Sequence, residues 1–301
     1  MGEIPFFSVV IPTYNYADFL ERSLNSVLNQ TFQDFEIHVL DNSSTDHTVE
    51  VVEAAQREKQ RIYLHTVQNH GVIAYSRNVG IKAAKGKWIA FLDADDLWLP
   101  EKLETVYRAI LDNPDVILVC HDEWQVVDGV RKNQMQLGDS TANIYERILF
   151  QGFSLFTSAV SVRKDIAFKT GGFSENKEFI TVEDTEYWLR LSREGRFFFV
   201  NIILGEWHIH GSNASKNAEI HSQAMVAVGE YYFGLWLQKY PKSQNKVLVG
   251  RGRIWTSAGR YLLKGKKFSM STRYAVKAIS LYPFNWKAWV VLFLSLLHVP
   301  L

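Results

Sequence analysis

A doubly wound α/β fold with a helical C-terminal extension is what this sequence predicts, on three observations. Apolar, β-branched runs of strand length alternate with amphipathic helical patterns over the first ~110 residues. Three of those runs end in polar turn strings, one of them acidic. Beyond about Ser215 the chain reads as helices only.

Phe6 to Ile11 (FFSVVI) is a continuous apolar run, as expected of a strand covered on both faces, and Pro12 ends it. From about Ala17 to Asn29, residues Phe19, Leu20, Leu24, Val27 and Leu28 recur on one side of a helix. Phe35 to Leu40 (FEIHVL) is a second strand, and Asp41 to Asp46 (DNSSTD) is a turn leading into a helix. Ile62 to Val67 is a third strand, Ala74 to Ala84 a helix, and Trp88 to Leu92 (WIAFL) a fourth strand. Pro100 suits the first position of a helix running to about Leu111. Strands that alternate with helices of this length predict a parallel sheet. The stretch from about Asp115 to His210 is richer in strands and turns, with Gly171-Gly172 marking a loop. The last apolar run, Ala288 to Leu297, is short of the roughly 20 residues that span a bilayer. It is expected to pack against the protein or, as the second reading, to lie at an interface.

With 301 residues and 47% hydrophobic content the chain can build a full core. A formal charge of +1 argues against general nucleic-acid binding, which needs a basic surface to neutralise phosphates. Cys120 is the single cysteine, so no disulfide forms within the chain. The opening string MGEIPFFSVVIPTYN enters a strand without a basic leader or cleavage signal, which points to a reducing, cytoplasmic setting.

Three candidate chemical clusters stand out. Asp93, Asp95 and Asp96 follow an apolar strand, where open α/β sheets bind ligands. Asp93 and Asp95 are two apart and would point the same way on an extended backbone. Converging carboxylates repel unless a cation lies between or beside them, and a hard divalent ion fits oxygen donors. Capping of the helix near Pro100 would explain one acid but not three. The second cluster is a helix entered through Thr181, with Asp184, Tyr187, Trp188 and Leu191 on one face and Glu186, Arg190 and Arg193 on the other. An Asp on the buried-side stripe either caps the helix or serves a cavity at its N-terminus. Third, His208 and His210 follow a strand in the string Trp207 to Ser215.

Four strings in order, SVVIPTYN (Ser8 to Asn15), DNSSTD, SRNVG (Ser76 to Gly80) and FLDADD (Phe91 to Asp96), resemble glycosyltransferase family 2, and a fifth extends the likeness to about residue 215. The resemblance implies a GT-A fold: a Rossmann-like, nucleotide-diphospho-sugar transferase mixed sheet flanked by helices over residues 1–215. Residues 1–112 would be its nucleotide-binding half and 113–215 its acceptor half, with a helical region over 216–301. It implies that Pro12, Thr13, Tyr14, Asn15 and Asp41 hold the nucleotide, the carboxylate accepting from the imide N–H of uracil or thymine. Asn42 stands where the family often has glycine, a mild departure because Asn tolerates left-handed backbone. Arg77 would grip base or phosphate. Asp93, Ala94 and Asp95 would meet ribose and metal, with Asp95 the principal ligand of Mn²⁺ or Mg²⁺ and Asp93 and His210 its further ligands. His210 could alternatively touch the pyrophosphate or be structural, and His208 is read as structural. Asp184 would be the general base, with Glu183 as second candidate.

The activity so implied is that of an inverting, metal-dependent hexosyltransferase. It would move one sugar from a nucleotide-diphosphate sugar, UDP-linked by preference, to an acceptor hydroxyl in cell-surface glycan or polysaccharide assembly. The expected partners are that donor and a glycan or lipid-linked acceptor, with no nucleic acid. Trp286, Trp289 and Phe293 beside Lys287 suit a peripheral contact with the inner membrane face. The chain lacks the Q-x-x-R-W string of polymer-extruding relatives, so one sugar per encounter is expected. The rival from another class is a non-catalytic nucleotide-sugar-binding or scaffold protein, which needs no base such as Asp184. A nicotinamide dehydrogenase is disfavoured because no G-x-G-x-x-G follows the first strand.

Overall fold

The computed structural model describes residues 4–59, 61–140, 143–211 and 217–301. The chain forms two compact units. The first comprises Met1–Ala142, Leu155–Phe173 and Arg190–His210. It opens with β1 (Phe7–Thr13), α1 (Ala17–Leu28), β2 (Phe35–Asp41), α2 (Thr48–Glu58), β3 (Ile62–Thr66), α3 (Ile73–Ala83) and β4 (Trp88–Phe91). There follow β5 (Leu97–Trp98), α4 (Lys102–Asp112), β6 (Val116–Val127) and β7 (Val130–Met135). After a short helix of the second unit, α5 (Ile144–Glu146), the first unit resumes with β8 (Ser161–Arg163) and α6 (Lys164–Lys169). The helix α7 (Glu183–Leu191) is divided between the units at Leu189, and β9 (Arg196–Ile209) completes the sheet.

The sheet order is β3-β2-β1-β4-β8-β6-β9-β5, with β7 paired to β6. β1 to β4 run parallel, as their helix crossovers require. β8 is antiparallel to both β4 and β6, β9 is parallel to β6, and β5 is antiparallel to β9. The parallel arrangement therefore holds for the first four strands, and the whole sheet is mixed. Past α4 the regular crossover helices stop, and pairing proceeds in both directions.

Every residue of β1 and β2 is buried, the apolar majority in the core and Ser8, Glu36 and His38 held by hydrogen bonds or an ion pair among themselves. Val9, Ile11, Ile37 and Val39 join Leu20, Leu24 and Val27 of α1 and Leu103, Val106 and Ile110 of α4 in one core. On the opposite face α3 lies flush with the sheet. A Cβ at Gly80 would stand 2.5 Å from Val10 Cγ1 and 3.0 Å from Leu40 Cδ2, so only glycine permits that approach. The loops after β1, β2 and β3 each hold one non-glycine residue at positive φ: Asn15 (52°), Ser43 (57°) and His70 (51°).

The second unit comprises Asn143–Ser154, Ser174–Leu189 and Gly211–Leu301. Its main elements are α8 (Ala218–Lys239), α9 (Gln244–Lys264), α10 (Phe268–Leu281) and α11 (Trp286–Leu296). Small residues bring these helices together: a Cβ at Gly252 would meet Tyr282 Cβ at 2.8 Å, and Ser271 Oγ lies 2.7 Å from Ser295 Oγ. Helix α11 buries only Ala288, Val291 and Ser295. The packed reading of this run thus covers one narrow stripe, because its bulky side chains lie on the other faces.

The approach to α7 differs from the predicted cap. Thr181 has φ 76° and its hydroxyl pairs with His221 Nδ1 at 2.9 Å, and the helix begins at Glu183. Glu186, expected on the outer face, is 4% exposed and accepts a 2.7 Å hydrogen bond from the Tyr232 hydroxyl. A phenol arriving from α8 makes that burial affordable.

Candidate active site

The ends of β1 and β2 stand side by side, Thr13 opposite Asp41. Asn15 ties the two following loops together. Its Oδ1 accepts from Thr45 N at 2.7 Å and its own N–H donates to Ser44 Oγ at 2.8 Å. Asp41 is 1% exposed, and its carboxylate accepts from the Ser44 N–H and, at 2.5 Å, from the Ser44 hydroxyl. It therefore also closes its own turn, as an Asx residue does. The Thr13 hydroxyl is buried with no hydrogen-bond partner among the described residues, an acceptor-donor left for a ligand or water. Tyr14 is half exposed beside it, and Pro12 is buried within β1.

At the end of β4 the backbone does not stay extended. It turns at Ala94-Asp95, with Asp96 N donating to Asp93 O at 3.1 Å. The expected same-side alternation of Asp93 and Asp95 is thereby replaced by a turn that gives each carboxylate its own surroundings. Asp93 receives Arg77 Nη2 at 2.7 Å. That guanidinium, almost fully buried, also lies 5.2 Å from the Phe173 ring centre. Asp95 Oδ2 lies 2.9 Å from His210 Nε2. The His210 ring stacks on Phe19 with centroids 4.5 Å apart. Burial raises the Asp95 pKa, as does Asp93, against the pull of His210. An acid held in this way gains from a nearby cation.

Asp96 has a different task. Its Oδ1 accepts from His208 N at 2.8 Å and its Oδ2 from the Ser158 hydroxyl at 2.5 Å. Ser158 Oγ in turn accepts from Asp93 N at 3.1 Å. Burial, then Asp95, Glu123 and Asp93, push the Asp96 pKa well up. Ser158 thus fixes the acidic turn from a short helical loop far along the chain, and no spacing in the sequence signals it. A second unforeseen group lies in the sheet: Glu123 is fully buried, its oxygens without hydrogen-bond partners among the described residues, and burial raises its pKa to about 8. Lys102, also fully buried, is brought down to about 7 by burial and hydrogen-bonds Ser161 Oγ at 3.3 Å.

The structure thus gathers Arg77, Asp93, Asp95 and His210 at one strand end and joins Thr13, Asn15 and Asp41 at the neighbouring ends. Asp184 lies in the first turn of α7 in the second unit, partly exposed, with Oδ1 accepting from Thr185 N. Residues 212–215 of the histidine string lie outside the described residues. Among the described residues no three His, Cys, Asp or Glu side chains form a ready metal cage.

Residues 8–173 match the sequence profile of "Glycosyl transferase family 2". Asp184 and His210 fall outside that span. The chain is 32% identical over 222 residues to a chondroitin synthase of Pasteurella multocida, covering 72% of this chain and 22% of that one. It is 30% identical over 227 residues to an uncharacterized glycosyltransferase of Rickettsia bellii, covering 74% of this chain and 32% of that one. The chain therefore spans a third or less of the length of these two relatives. Among solved structures, S. aureus TarS 1–349 in complex with UDP-GlcNAc superposes with a TM-score of 0.66 at 17% identity, over 97% of this chain and 92% of that one. The mannosyltransferase PcManGT of Pyrobaculum calidifontis, in complex with GDP-Man and Mn²⁺, gives 0.62 at 14% identity, over 98% and 86%. Those likenesses establish the GT-A fold of the mixed sheet. With the profile spanning more than half of its length, the chain belongs to glycosyl transferase family 2.

Proposed function

We propose that the protein transfers a single hexose, with inversion, from a nucleoside-diphosphate sugar to an acceptor hydroxyl. The observation that carries this reading is the buried turn at the end of β4, where Arg77, Asp93, Asp95 and His210 converge. UDP is the favoured nucleotide. The TarS complexes with UDP and UDP-GlcNAc support this choice, while the GDP-Man complex of PcManGT keeps the base open to test. The chondroitin and hyaluronan synthases among the relatives support a role in cell-surface glycan or polysaccharide assembly. In this reading residues 1–112 hold the donor, 113–215 the acceptor, and the helices beyond make a peripheral contact with the inner membrane face.

Pro12, Thr13, Tyr14 and Asn15 would line the base and ribose, with the free Thr13 hydroxyl as one contact. Asp41 would offer the imide N–H a lone pair not used by Ser44. Arg77 and Asp93 form a fixed pair from which ribose hydroxyls or phosphate oxygens would take their orientation, with Ala94 buried beside them in the turn. The donor set of Asp95 and His210, carboxylate plus imidazole, fits Mn²⁺ and, less well, Mg²⁺. Asp93 as a third donor would share its Oδ1 side with Arg77. Such a cation, when bound, supplies positive charge for the departing diphosphate. Asp184 would accept the proton of the attacking hydroxyl, with Glu183 as its alternate.

Turnover of UDP-sugars with Mn²⁺, and with EDTA, tests the reading. The substitution Asp184→Asn is expected to lower turnover about 10²–10⁴-fold while leaving donor affinity unchanged. Unchanged metal-dependent turnover would reassign the base. Failure of every nucleotide sugar to bind would sink the transfer reading and the binding-protein alternative together.

A further inference from the structure

Residues 231–301 contain twelve Lys and Arg and no Asp or Glu, in a chain whose overall formal charge is +1. Three of these cations are engaged within the second unit: Lys246 with Glu146 at 2.5 Å, Arg251 with Glu230 at 2.7 Å and Lys267 with Glu219 at 2.6 Å. Arg253 is largely buried and donates to Leu149 O at 3.1 Å. By contrast Arg260, Lys264, Lys266, Arg273, Lys277 and Lys287 are exposed and form no ion pair among the described residues.

The same region carries the largest apolar exposure of the chain. Trp286, Trp289, Phe293 and Leu296 recur at helical spacing on α11 and are 66%, 51%, 62% and 61% exposed, next to Phe284 at 83%. With about 1.5 Å of rise per residue, α11 is about 16 Å long and too short to cross a hydrocarbon core of about 30 Å. A self-associating face would bring two surfaces with unpaired Lys and Arg together, which repel. A surface that is anionic outside and apolar just beneath satisfies both features at once. Cations meet headgroups, and Trp and Phe enter the headgroup–acyl boundary.

We propose that α11 lies flat in the interface of an anionic lipid bilayer, its bulky face inserted and the exposed Lys and Arg of α9 to α11 holding the headgroups. This deepens the inner-face contact of the proposed function by naming its lipid chemistry, and it does not depend on sugar transfer. Sedimentation of the full chain with vesicles of phosphatidylcholine, alone or mixed with phosphatidylglycerol, tests it. Pelleting is expected with the anionic vesicles and not with the neutral ones. The pair Lys277→Glu with Lys287→Glu is expected to weaken pelleting about tenfold or more. Trp289→Ser with Phe293→Ser is expected to do the same. All four positions are exposed, so thermal midpoints should match the parent. UDP-sugar hydrolysis without vesicles should be unaltered in both double variants. A parent protein that pellets but hydrolyses nothing breaks the transfer reading and leaves this one standing. Absence of pelleting, equal pelleting on neutral vesicles, or pelleting indifferent to both double variants overturns the proposal. So does a dimer in solution that Trp289→Ser with Phe293→Ser dissolves, which would give the face to a second copy.

Discussion

Asp96 is 3% exposed and each of its oxygens is held by a named donor, whereas Lys277 and Lys287 stand in solvent with no acid paired to them among the described residues. The end of β4 and the last three helices both concentrate charge of one sign, under opposite rules. In the first region the carboxylates are desolvated, so each needs a partner of fixed geometry. In the second the charges sit on long, hydrated stems and act through their summed potential, which salt screens. Buried charge of this kind defines a shaped site for a small ligand, while exposed charge of this kind defines an adhesive surface. The contrast also separates what substitutions should do.

The largest effect is expected at Asp95. Replacing it by Asn should lower nucleotide-sugar turnover about 10³-fold with little change in thermal midpoint, and a turnover within a few-fold of the parent would remove Asp95 from the site. Arg77→Met comes next, because it strands Asp93 without its 2.7 Å partner. A loss of about 3 kcal/mol in denaturant unfolding is expected, and a neutral result would mean that this charge is solvated after all.

A buried carboxylate outside the site supplies the third test. Burial would raise the Glu36 pKa, but hydrogen bonds from His38, Lys85 N and Ser8 outweigh that and bring it to about 2. A folded value below the free value of 4.5 stabilises the fold above pH 4.5, and that stabilisation is lost as pH falls toward 2. Its size is about 3 kcal/mol. Acid titration of stability should therefore be shallower for Glu36→Gln than for the parent over that window. The smallest effect is reserved for the cationic helices. Lys277→Glu should change stability by no more than about 0.5 kcal/mol, and a larger loss would mark it as part of the packing rather than of the surface.

How much of this was legible beforehand follows from the range of the signals. β1, β2 and β4 are wholly buried and α1 is strongly two-sided, so apolar runs and periodicity report them directly. The nucleotide and metal roles of Arg77, Asp93 and Asp95 come from the family resemblance of their strings and not from periodicity, and the Arg77–Asp93 pair is a tertiary contact. β8 leaves no signal in the sequence: three residues carry no period, and its pairing between β4 and β6 is a tertiary fact. Ser158, which fixes Asp96 and Asp93, acts across more than sixty residues of chain. A helical wheel puts Glu186 on the outer face because it treats every acid as solvent-seeking, and it cannot see Tyr232 arriving from α8. The charge contrast itself was hidden by averaging, since a total of +1 conceals a C-terminal stretch without a single acid.

The three left-handed residues at the ends of β1, β2 and β3 bear on any attempt to transplant this site. Copying its side chains onto another α/β sheet would transfer the functional groups without the loop conformations that aim them. Each such backbone setting costs on the order of 1 kcal/mol and persists only where its surroundings enforce it, as the Asn15 clasp on Thr45 does here. A working graft would have to move the loops together with the strands that launch them.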